Sequence, residues 1–172
     1  MDIRDYRVVF VGRSACGTKI SLIFRIFNNY LRYEYTSTMG VCFYKEEIEL
    51  KNGKIIQLSF WDTAGQEKYR EIIFRYMSIA DCIVLEFSVT NKSDLMDIKN
   101  SFYPKVKEYP NIKLIYLVGN KIDVEDEERK VDKEEALSFA KENNLRYFEI
   151  SCKTGEGVQE FYNDLINEIV KI

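Results

Sequence analysis

The sequence predicts an α/β fold: a six-stranded, mostly parallel sheet with one antiparallel edge strand and about five helices. Short apolar runs of strand length alternate with segments whose apolar residues recur at helical spacing, which is typical of βαβ units. An Asn52-Gly53 pair between two strand-like segments indicates one hairpin. We expect residues 1–172 to form one domain, because this is an ordinary length for a single hydrophobic core.

The elements follow one another in a simple order. In the first half they are a strand over 7–11, a glycine-containing loop over 12–17, a helix over 19–27, a loop over 30–40, and hairpin strands over 41–50 and 54–61. In the second half they are a strand over 81–89, a helix from about 93 to 109, a strand over 112–118, a helix over 132–143, a strand over 146–150 and a helix over 156–172. Ser93 is the expected cap of the first helix in this second half, which Pro104 should kink or divide.

The composition excludes several classes of function. The net charge is −3, from 28 acidic and 25 basic side chains, which argues against a dedicated nucleic-acid binder. There is no histidine and no CxxC spacing, so a zinc site and a Ser-His-Asp or Cys-His catalytic arrangement are excluded. The charged N-terminus differs from a secretory signal, and no apolar run approaches the roughly 20 residues that span a bilayer. The four scattered cysteines are therefore expected to be free thiols of a cytoplasmic protein.

Ligands of a parallel sheet bind at the carboxyl ends of its strands, so the loops after the strands are where chemistry is expected. The first strand is followed by a candidate phosphate loop, whose backbone N–H groups, helix N-terminus and lysine suit an anion. This loop reads Gly12-Arg13-Ser14-Ala15-Cys16-Gly17-Thr18-Lys19. By itself the loop is a weak signal, because it does not fit the G-x-x-x-x-G-K-[ST] pattern.

Three other strand ends carry polar residues. After the third strand, Asp62 can hold Mg²⁺ through water, the backbone of Gly65 can approach a terminal phosphate, and the amide of Gln66 can orient water. After the fifth strand comes Asn120-Lys121-Ile122-Asp123, in which a carboxylate can accept from both the ring N–H and the exocyclic amine of guanine. Adenine offers no such pair of donors. After the sixth strand comes Ser151-Cys152-Lys153, where a backbone N–H can meet the base carbonyl.

These segments, in this order and at these strand ends, resemble the Ras superfamily of small GTPases. The similarity extends over residues 7–169. Segments 37–41 and 61–70 most resemble the Rab family, whereas segment 102–111 is more similar to the third helix of Rho proteins. The helical insert typical of Rho is missing before Asp132, so the chain is interpreted as a divergent Rab-like protein with a Rho-like switch as the alternative.

The resemblance implies a small G-protein domain of the P-loop NTPase fold that binds GDP or GTP with Mg²⁺, and it assigns roles to individual residues. Lys19 would contact the β- and γ-phosphates within the loop that begins at Gly12. Thr38 and Asp62 would hold Mg²⁺, Gly65 would sense the γ-phosphate and Gln66 would position the attacking water. The residues that would bind guanine are Asn120, Lys121 and Asp123, helped by Ser151, Cys152 and Lys153. Segments 30–40 and 65–76 would be switches that respond to the nucleotide.

The phosphate loop departs from the family, because seven steps separate Gly12 from Lys19 where the motif has six. In one alignment the loop has gained a residue, Lys19 is the phosphate lysine, and Ile20 replaces the hydroxyl residue that binds Mg²⁺. In the other, Thr18 replaces the lysine and Lys19 replaces the hydroxyl. The first keeps the usual distance to Thr38 and is favoured. Either alignment predicts weakened Mg²⁺ binding and slow hydrolysis.

The expected function is a GDP/GTP switch that regulates membrane traffic through effectors, an exchange factor and a GTPase-activating protein. The alternative from another class is a pseudo-GTPase scaffold that keeps the fold without cycling, and an ATP-using enzyme is disfavoured by Asp123. An aromatic set of Phe43, Phe60, Trp61 and Tyr76 is a candidate effector surface of the Rab kind, with core packing as the competing interpretation. No cysteine follows Cys152, so attachment to a vesicle or endomembrane surface is expected only through a lipid anchor that these residues do not carry.

Overall fold

The structure is a computed structural model that describes residues 3–13, 18–27, 41–63 and 69–172. Within these ranges, six strands form one sheet in the order β2-β3-β1-β4-β5-β6. The strands are β1 Asp5–Val11, β2 Val41–Glu49, β3 Ile55–Thr63, β4 Cys82–Ser88, β5 Leu114–Asn120 and β6 Arg146–Ile150. The β2–β3 pair is antiparallel and every other pair is parallel, which confirms the predicted sheet with its single antiparallel edge.

The helices of the described residues lie on both faces of the sheet. They are α1 Thr18–Ile26, α2 Arg70–Ser78, α3 Lys92–Asp97, α4 Tyr103–Val106, α5 Lys133–Glu142 and α6 Val158–Ile169. A π turn over Ile98–Phe102 joins α3 to α4, so these three segments form one continuous rod, and the described part of the chain has five helical rods as predicted. A short 3₁₀ turn over Asp126–Glu128 precedes α5.

The core consists of two layers of apolar side chains, one on each face of the sheet. On one face, α1 and α6 cover alternate residues of the central strands, including Phe10 of β1 and Val84 of β4. On the other face, α2, the α3–α4 rod and α5 cover the intervening residues, such as Val9 and Leu85. Because both faces are covered, the central strands read as nearly continuous apolar runs rather than as an alternation.

The π turn is the structural response to Pro104. Proline has no N–H to give to the residue four positions earlier, and its ring crowds that carbonyl, so an α-helix cannot pass through it unchanged. The rod therefore widens directly before Tyr103, as local π turns do. The prediction that Ser93 caps α3 was wrong. Asn91 is the N-cap, and its side chain accepts from the N–H of Ser93 at 3.0 Å.

The first residue of α2 is bonded to this rod. The guanidinium of Arg70 donates to Ser101 Oγ at 2.6 Å and to both carboxylate oxygens of Asp97 at 3.2 Å. It also lies over the ring of Phe102, 5.1 Å from the ring centroid. The sequence did not locate α2 as a helix, because its residues were interpreted as part of a switch segment.

The last helix is shorter than predicted, since it begins at Val158 and ends at Ile169, but its apolar face is the expected one. Val158, Phe161, Leu165 and Ile169 are all buried against the sheet. Among the described residues, no helix combines the length and the apolar character needed to cross a bilayer.

Candidate functional site

The loops after β5 and β6 meet around one cavity at the carboxyl edge of the sheet. The cavity has a volume of about 350 Å³. Its lining residues come from α1 and from both loops: Ser21, Asn120, Lys121, Asp123, Val124, Cys152 and Lys153. The two loops are also joined through the backbone, because the N–H of Ile122 donates to the carbonyl of Ile150 at 3.3 Å. The cavity therefore brings together five of the six residues that the resemblance assigns to guanine, and the sixth, Ser151, is hydrogen-bonded to Asp123 behind its wall.

Asn120 is the centre of the hydrogen bonds at this cavity. Its Oδ1 accepts from the backbone N–H of Lys121 at 2.7 Å and from that of Cys152 at 3.2 Å. Its Nδ2 donates to Glu86 Oε1 at 2.9 Å and to the Sγ of Cys152 at 3.1 Å. Burial raises the pKa of the Cys152 thiol to about 12, with the negative charge of Glu86 as a second cause. Cys152 is therefore a neutral thiol at physiological pH.

Asp123 is held at the cavity wall as a charged carboxylate. Ser151 donates its hydroxyl to Asp123 Oδ1 at 2.6 Å, and the ammonium of Lys153 lies 3.6 Å from Oδ2. The hydrogen bond from Ser151 is the main cause that lowers the pKa of Asp123, and Lys153 adds to it. The backbone of Lys121 reaches the left-handed region, with φ 71°, as the chain turns from β5 toward Asp123.

Lys19 folds back onto the beginning of the candidate phosphate loop. It lies in the first turn of α1, is only 3% exposed, and its Nζ donates to the carbonyl of Gly12 at 3.0 Å. Gly12 itself passes close to β4, because a Cβ at this position would lie 2.2 Å from the carbonyl oxygen of Glu86. Only glycine fits there. Arg13, the next residue, is exposed.

Asp62 lies at the end of β3 as a half-buried carboxylate with incomplete hydrogen bonding. Its Oδ1 is buried and accepts no hydrogen bond from any described residue. Burial raises the pKa of Asp62 to about 6, and the positive charge of Lys19 opposes this shift. The neighbouring Thr63 fixes the strand end, since its hydroxyl donates to the carbonyl of Phe10 at 2.7 Å. An anionic oxygen that is buried and unsatisfied fits a water-mediated contact to Mg²⁺.

Arg25 joins α1 to the loop after β6, a contact that no pattern in the sequence indicated. Its guanidinium donates to the carbonyl of Thr154 at 2.9 Å. Gly155 makes room for it, because a Cβ there would lie 2.6 Å from Nη2 of Arg25, and the φ of Gly155 is 91°. The helix that carries Lys19 and the loop that carries Cys152 are thus bonded to each other.

Three of the four predicted aromatic residues form one half-buried group on the β2–β3 hairpin and α2. The rings of Phe43 and Trp61 have centroids 4.8 Å apart, and those of Trp61 and Tyr76 are 5.0 Å apart. Phe60 is not part of this surface. It is fully buried on the opposite face of the sheet, where it packs against Phe10 and Phe27.

The other predicted site residues fall outside the described part of the chain. They are Ser14, Ala15, Cys16, Gly17, Thr38, Gly65 and Gln66, together with the side chains of Thr18 and Ile20. Their roles stay predictions. Sequence reasoning also missed Glu86, although one signal was present: Glu86 is the single charged residue in the buried run Cys82–Ser88.

Comparison with known proteins agrees with this geometry. The family model described as "Ras family" matches residues 7–171. The chain is 32% identical over 165 residues to "GTP-binding protein ypt5" of Schizosaccharomyces pombe, which covers 96% of this chain and 78% of that protein. It is 34% identical over 166 residues to "Ras-related protein Rab-13" of Canis lupus familiaris, with 96% and 80% covered. It is 36% identical over 158 residues to "Ras-related protein Rab-4" of Dictyostelium discoideum, with 91% and 75% covered.

The fold, the site and these similarities define a small GTP-binding protein of the α/β class. The chain belongs to the Ras family, and its relatives show that it is Rab-like. Proteins of this family are GTP-binding switches and GTP hydrolases.

Proposed function

We propose that this chain is a Rab-like GDP/GTP switch that acts through effectors in membrane traffic, with slow intrinsic hydrolysis because its phosphate loop is altered. The observation that carries the proposal is the arrangement of Asp123 at the cavity. Its carboxylate is charged, lies at the wall of a cavity at the carboxyl edge of the sheet, and is held by Ser151. Residues 1–172 would act together as one GTPase domain.

Guanine recognition follows from the chemistry of this wall. An ionised carboxylate only accepts hydrogen bonds, and guanine presents two donors on one edge, its ring N–H and its exocyclic amine. We assign this pair to Asp123. Asn120 and Lys121 would position the loop, and Ser151, Cys152 and Lys153 would complete the wall on the other side of the base.

The phosphates would lie beside Lys19, at the N-terminus of α1. The buried ammonium on the carbonyl of Gly12 supports the alignment in which Lys19 is the phosphate lysine and the loop has gained a residue. The backbone of the loop from Gly12 to Thr18 would surround the phosphates, as N–H groups at a helix N-terminus favour anions. In this alignment Ile20 stands where a hydroxyl residue would hold the metal.

Asp62 fits the Mg²⁺ site through its buried, unsatisfied oxygen, and Thr38 would be the second residue at the metal. When bound, Mg²⁺ neutralises the charge that develops between the β- and γ-phosphate oxygens. Gly65 would contact the γ-phosphate and Gln66 would orient the attacking water. Without the hydroxyl at Ile20, we infer weaker Mg²⁺ binding and slower turnover than a Rab protein with an unaltered loop.

The partners follow from the proposed switch: an exchange factor, a GTPase-activating protein and effectors that read the GTP-bound form. The half-buried aromatic group of Phe43, Trp61 and Tyr76 is the proposed effector surface. By its similarity to Rab proteins, we propose a cytoplasmic location, at vesicle or endomembrane surfaces. No nucleic-acid partner is proposed.

The second candidate is a pseudo-GTPase scaffold, which the altered phosphate loop favours. The two functions are separated by denaturing the purified protein and identifying the released nucleotide by ion-exchange chromatography. A switch with an occupied site releases GDP or GTP at close to one molecule per chain. Release of no nucleotide, combined with no binding of added GDP, would leave the scaffold. Release of adenine nucleotides would refute the assignment of Asp123.

A further inference from the structure

Glu86 is a buried carboxylate in an otherwise apolar stretch of β4. It lies near the carboxyl end of β4, is 1% exposed, and is flanked by Leu85 and Phe87, which are fully buried. Removing a carboxylate from water costs several kcal/mol unless hydrogen bonds replace the lost solvent. An apolar residue at this position would fold at a lower cost, so the charge points to a task beyond packing.

The contacts of Glu86 lie at the junction of the phosphate and base regions. Its Oε1 accepts from Asn120 Nδ2 at 2.9 Å, in a buried hydrogen bond. Its backbone runs directly beside Gly12, the first residue of the candidate phosphate loop, and leaves no room for a Cβ there. The side chain therefore reaches from the strand beside the phosphate loop to the residue at the centre of the base-binding loops.

The chemistry of a carboxylate fixes which end of the Asn120 amide faces it. Oε1 of Glu86 accepts from the amide, so the NH₂ end of Asn120 points toward Glu86. The carbonyl end is then left for the backbone N–H groups of Lys121 and Cys152, both of which donate to it. A flipped amide would place its carbonyl against the carboxylate and its NH₂ against two donors, and every one of these contacts would be unfavourable.

We propose that Glu86 is a positioning residue for guanine recognition: it fixes the orientation of the Asn120 amide and thereby holds the loops after β5 and β6 at the spacing that the base requires. Glu86 acts through Asn120 and does not touch the nucleotide. The inference rests on the proposed function, because it presumes that guanine binds in the cavity between these loops.

A purely structural role would give a different result in one measurement. Inosine nucleotides lack the exocyclic amine of guanine, so the ratio of GDP to IDP affinity reports how well Asp123 meets the base. If Glu86 only stabilises the fold, its replacement lowers the unfolding temperature and leaves this ratio unchanged. If Glu86 positions the loops, the ratio falls together with the affinity for GDP.

The test compares four chains by equilibrium titration with GDP and IDP: wild type, Glu86→Leu, Glu86→Gln and the control Asp164→Asn. The control is matched to Glu86→Gln as an acid-to-amide change. Asp164 accepts from the buried Tyr116 hydroxyl at 2.7 Å and pairs with Arg146, which begins β6 at the end of the strand away from the site. Asp164→Asn should therefore lower the unfolding temperature without changing either affinity.

We expect Glu86→Leu to weaken GDP binding by about tenfold or more, because the buried NH₂ of Asn120 loses its acceptor and the amide keeps only the contacts to the two loops it has to position. The preference for GDP over IDP should fall in the same variant. Glu86→Gln can still present a carbonyl oxygen to Asn120, so it should retain more of both the affinity and the preference. A wild-type GDP to IDP ratio in Glu86→Leu and Glu86→Gln would overturn the inference.

Hydrogen exchange keeps the inference testable if Glu86→Leu does not fold. In Glu86→Gln, the backbone amides of Lys121 and Cys152 should exchange faster than in the wild type, whereas in Asp164→Asn they should not change. Unchanged protection of both amides in Glu86→Gln would overturn the inference. Failure of the wild type to bind either nucleotide would refute the proposed function, and the exchange measurement would still decide whether Glu86 controls the two loops.

Discussion

The base side and the phosphate side of the site differ in how fully their polar groups are bonded. On the base side, the side chain of Asn120 makes four hydrogen bonds, and Asp123 is held by Ser151 with its pKa lowered. On the phosphate side, half-buried Asp62 has a buried oxygen that no described residue bonds, and its pKa is raised to about 6. The side chains around the base-side cavity bond one another, and the phosphate side holds a carboxylate oxygen that the described residues do not bond.

This difference separates two ways of binding. A wall whose groups already bond one another is preorganised, so little ordering cost opposes the arrival of a base. The Asp62 oxygen that no described residue bonds would gain a partner from a cation or its bound water, so we expect ligand binding and stability to be linked there. We therefore expect changes on the base side to alter which nucleotide binds, and changes on the phosphate side to alter how binding depends on Mg²⁺ and pH.

The largest effect is expected at Asp123. Asp123→Ala removes two hydrogen bonds to an ionised acceptor, each worth about 1.5–3 kcal/mol, so GDP affinity should fall by roughly 10²–10⁴-fold. The measurement is competition with a fluorescent GDP analogue, with ADP as the second competitor. The control is Glu125→Ala, an exposed acidic residue two positions along the same loop. Equal affinities for GDP in Asp123→Ala and in the wild type would contradict the assignment of Asp123 as the residue that binds guanine.

A smaller effect is expected at Asp62, in protein freed of nucleotide and metal. Because the folded protein binds the proton of Asp62 more tightly than the unfolded chain does, the destabilisation from ionised Asp62 is nearly absent below pH 4. It grows as the pH rises from about 4 to 6 and is constant above that. The shift of the pKa from 3.8 to about 6 corresponds to about 3 kcal/mol at neutral pH. Asp62→Asn should therefore raise the free energy of unfolding at pH 7 more than at pH 5.

The measurement for Asp62 is urea unfolding of wild type and Asp62→Asn at pH 5 and pH 7. The contributions of the other titrating groups cancel when the free energies of unfolding of the two chains are subtracted at each pH. Asp126→Asn, which changes an exposed carboxylate, should leave the pH dependence of stability as it is in the wild type. An equal gain for Asp62→Asn at both pH values would show that Asp62 is not a buried, charged group.

The smallest effect is expected from restoring a hydroxyl to the phosphate side. If the loop has gained a residue, Ile20→Ser should strengthen Mg²⁺-dependent GDP binding by about fivefold, the value of one hydrogen-bond-like contact of about 1 kcal/mol. The measurement is GDP dissociation with and without EDTA, and Thr18→Lys is the matched variant for the other alignment. A gain in Thr18→Lys alone would assign the lysine role to position 18.

The sheet could be predicted from the sequence because its strands are local apolar runs with clear boundaries. All six strands lie within a few residues of their predicted positions, and the Asn52-Gly53 turn identifies the antiparallel pair. The helix α2 was missed because only Ile73 and Met77 are buried in it, too few to produce a clear period. The cap at Asn91 depends on which of two neighbouring polar residues reaches the backbone, and spacing alone does not decide this.

The base side of the site could be predicted as well, since each of its residues directly follows a strand and the strands are parallel. Two contacts could not be predicted. Arg25 and Thr154 are 129 positions apart, and their contact depends on how α1 packs beside the loop after β6. Glu86 is recognisable in the sequence as a charged residue within an apolar strand. Its partner Asn120 can be identified only from the register of β4 and β5, in which Ser88 lies opposite Asn120.

The attachment of Arg70 to the α3–α4 rod limits what α2 can do. The first residue of this helix is tied by its guanidinium to Asp97 and Ser101, and it covers the ring of Phe102. For α2 to swing toward a partner, the guanidinium must first leave both polar groups and the ring. Ser101 and Phe102 belong to the π turn before Pro104, so this turn supplies two of the contacts that hold the first residue of α2 in place. A partner protein that moved α2 would have to supply the free energy to break these contacts.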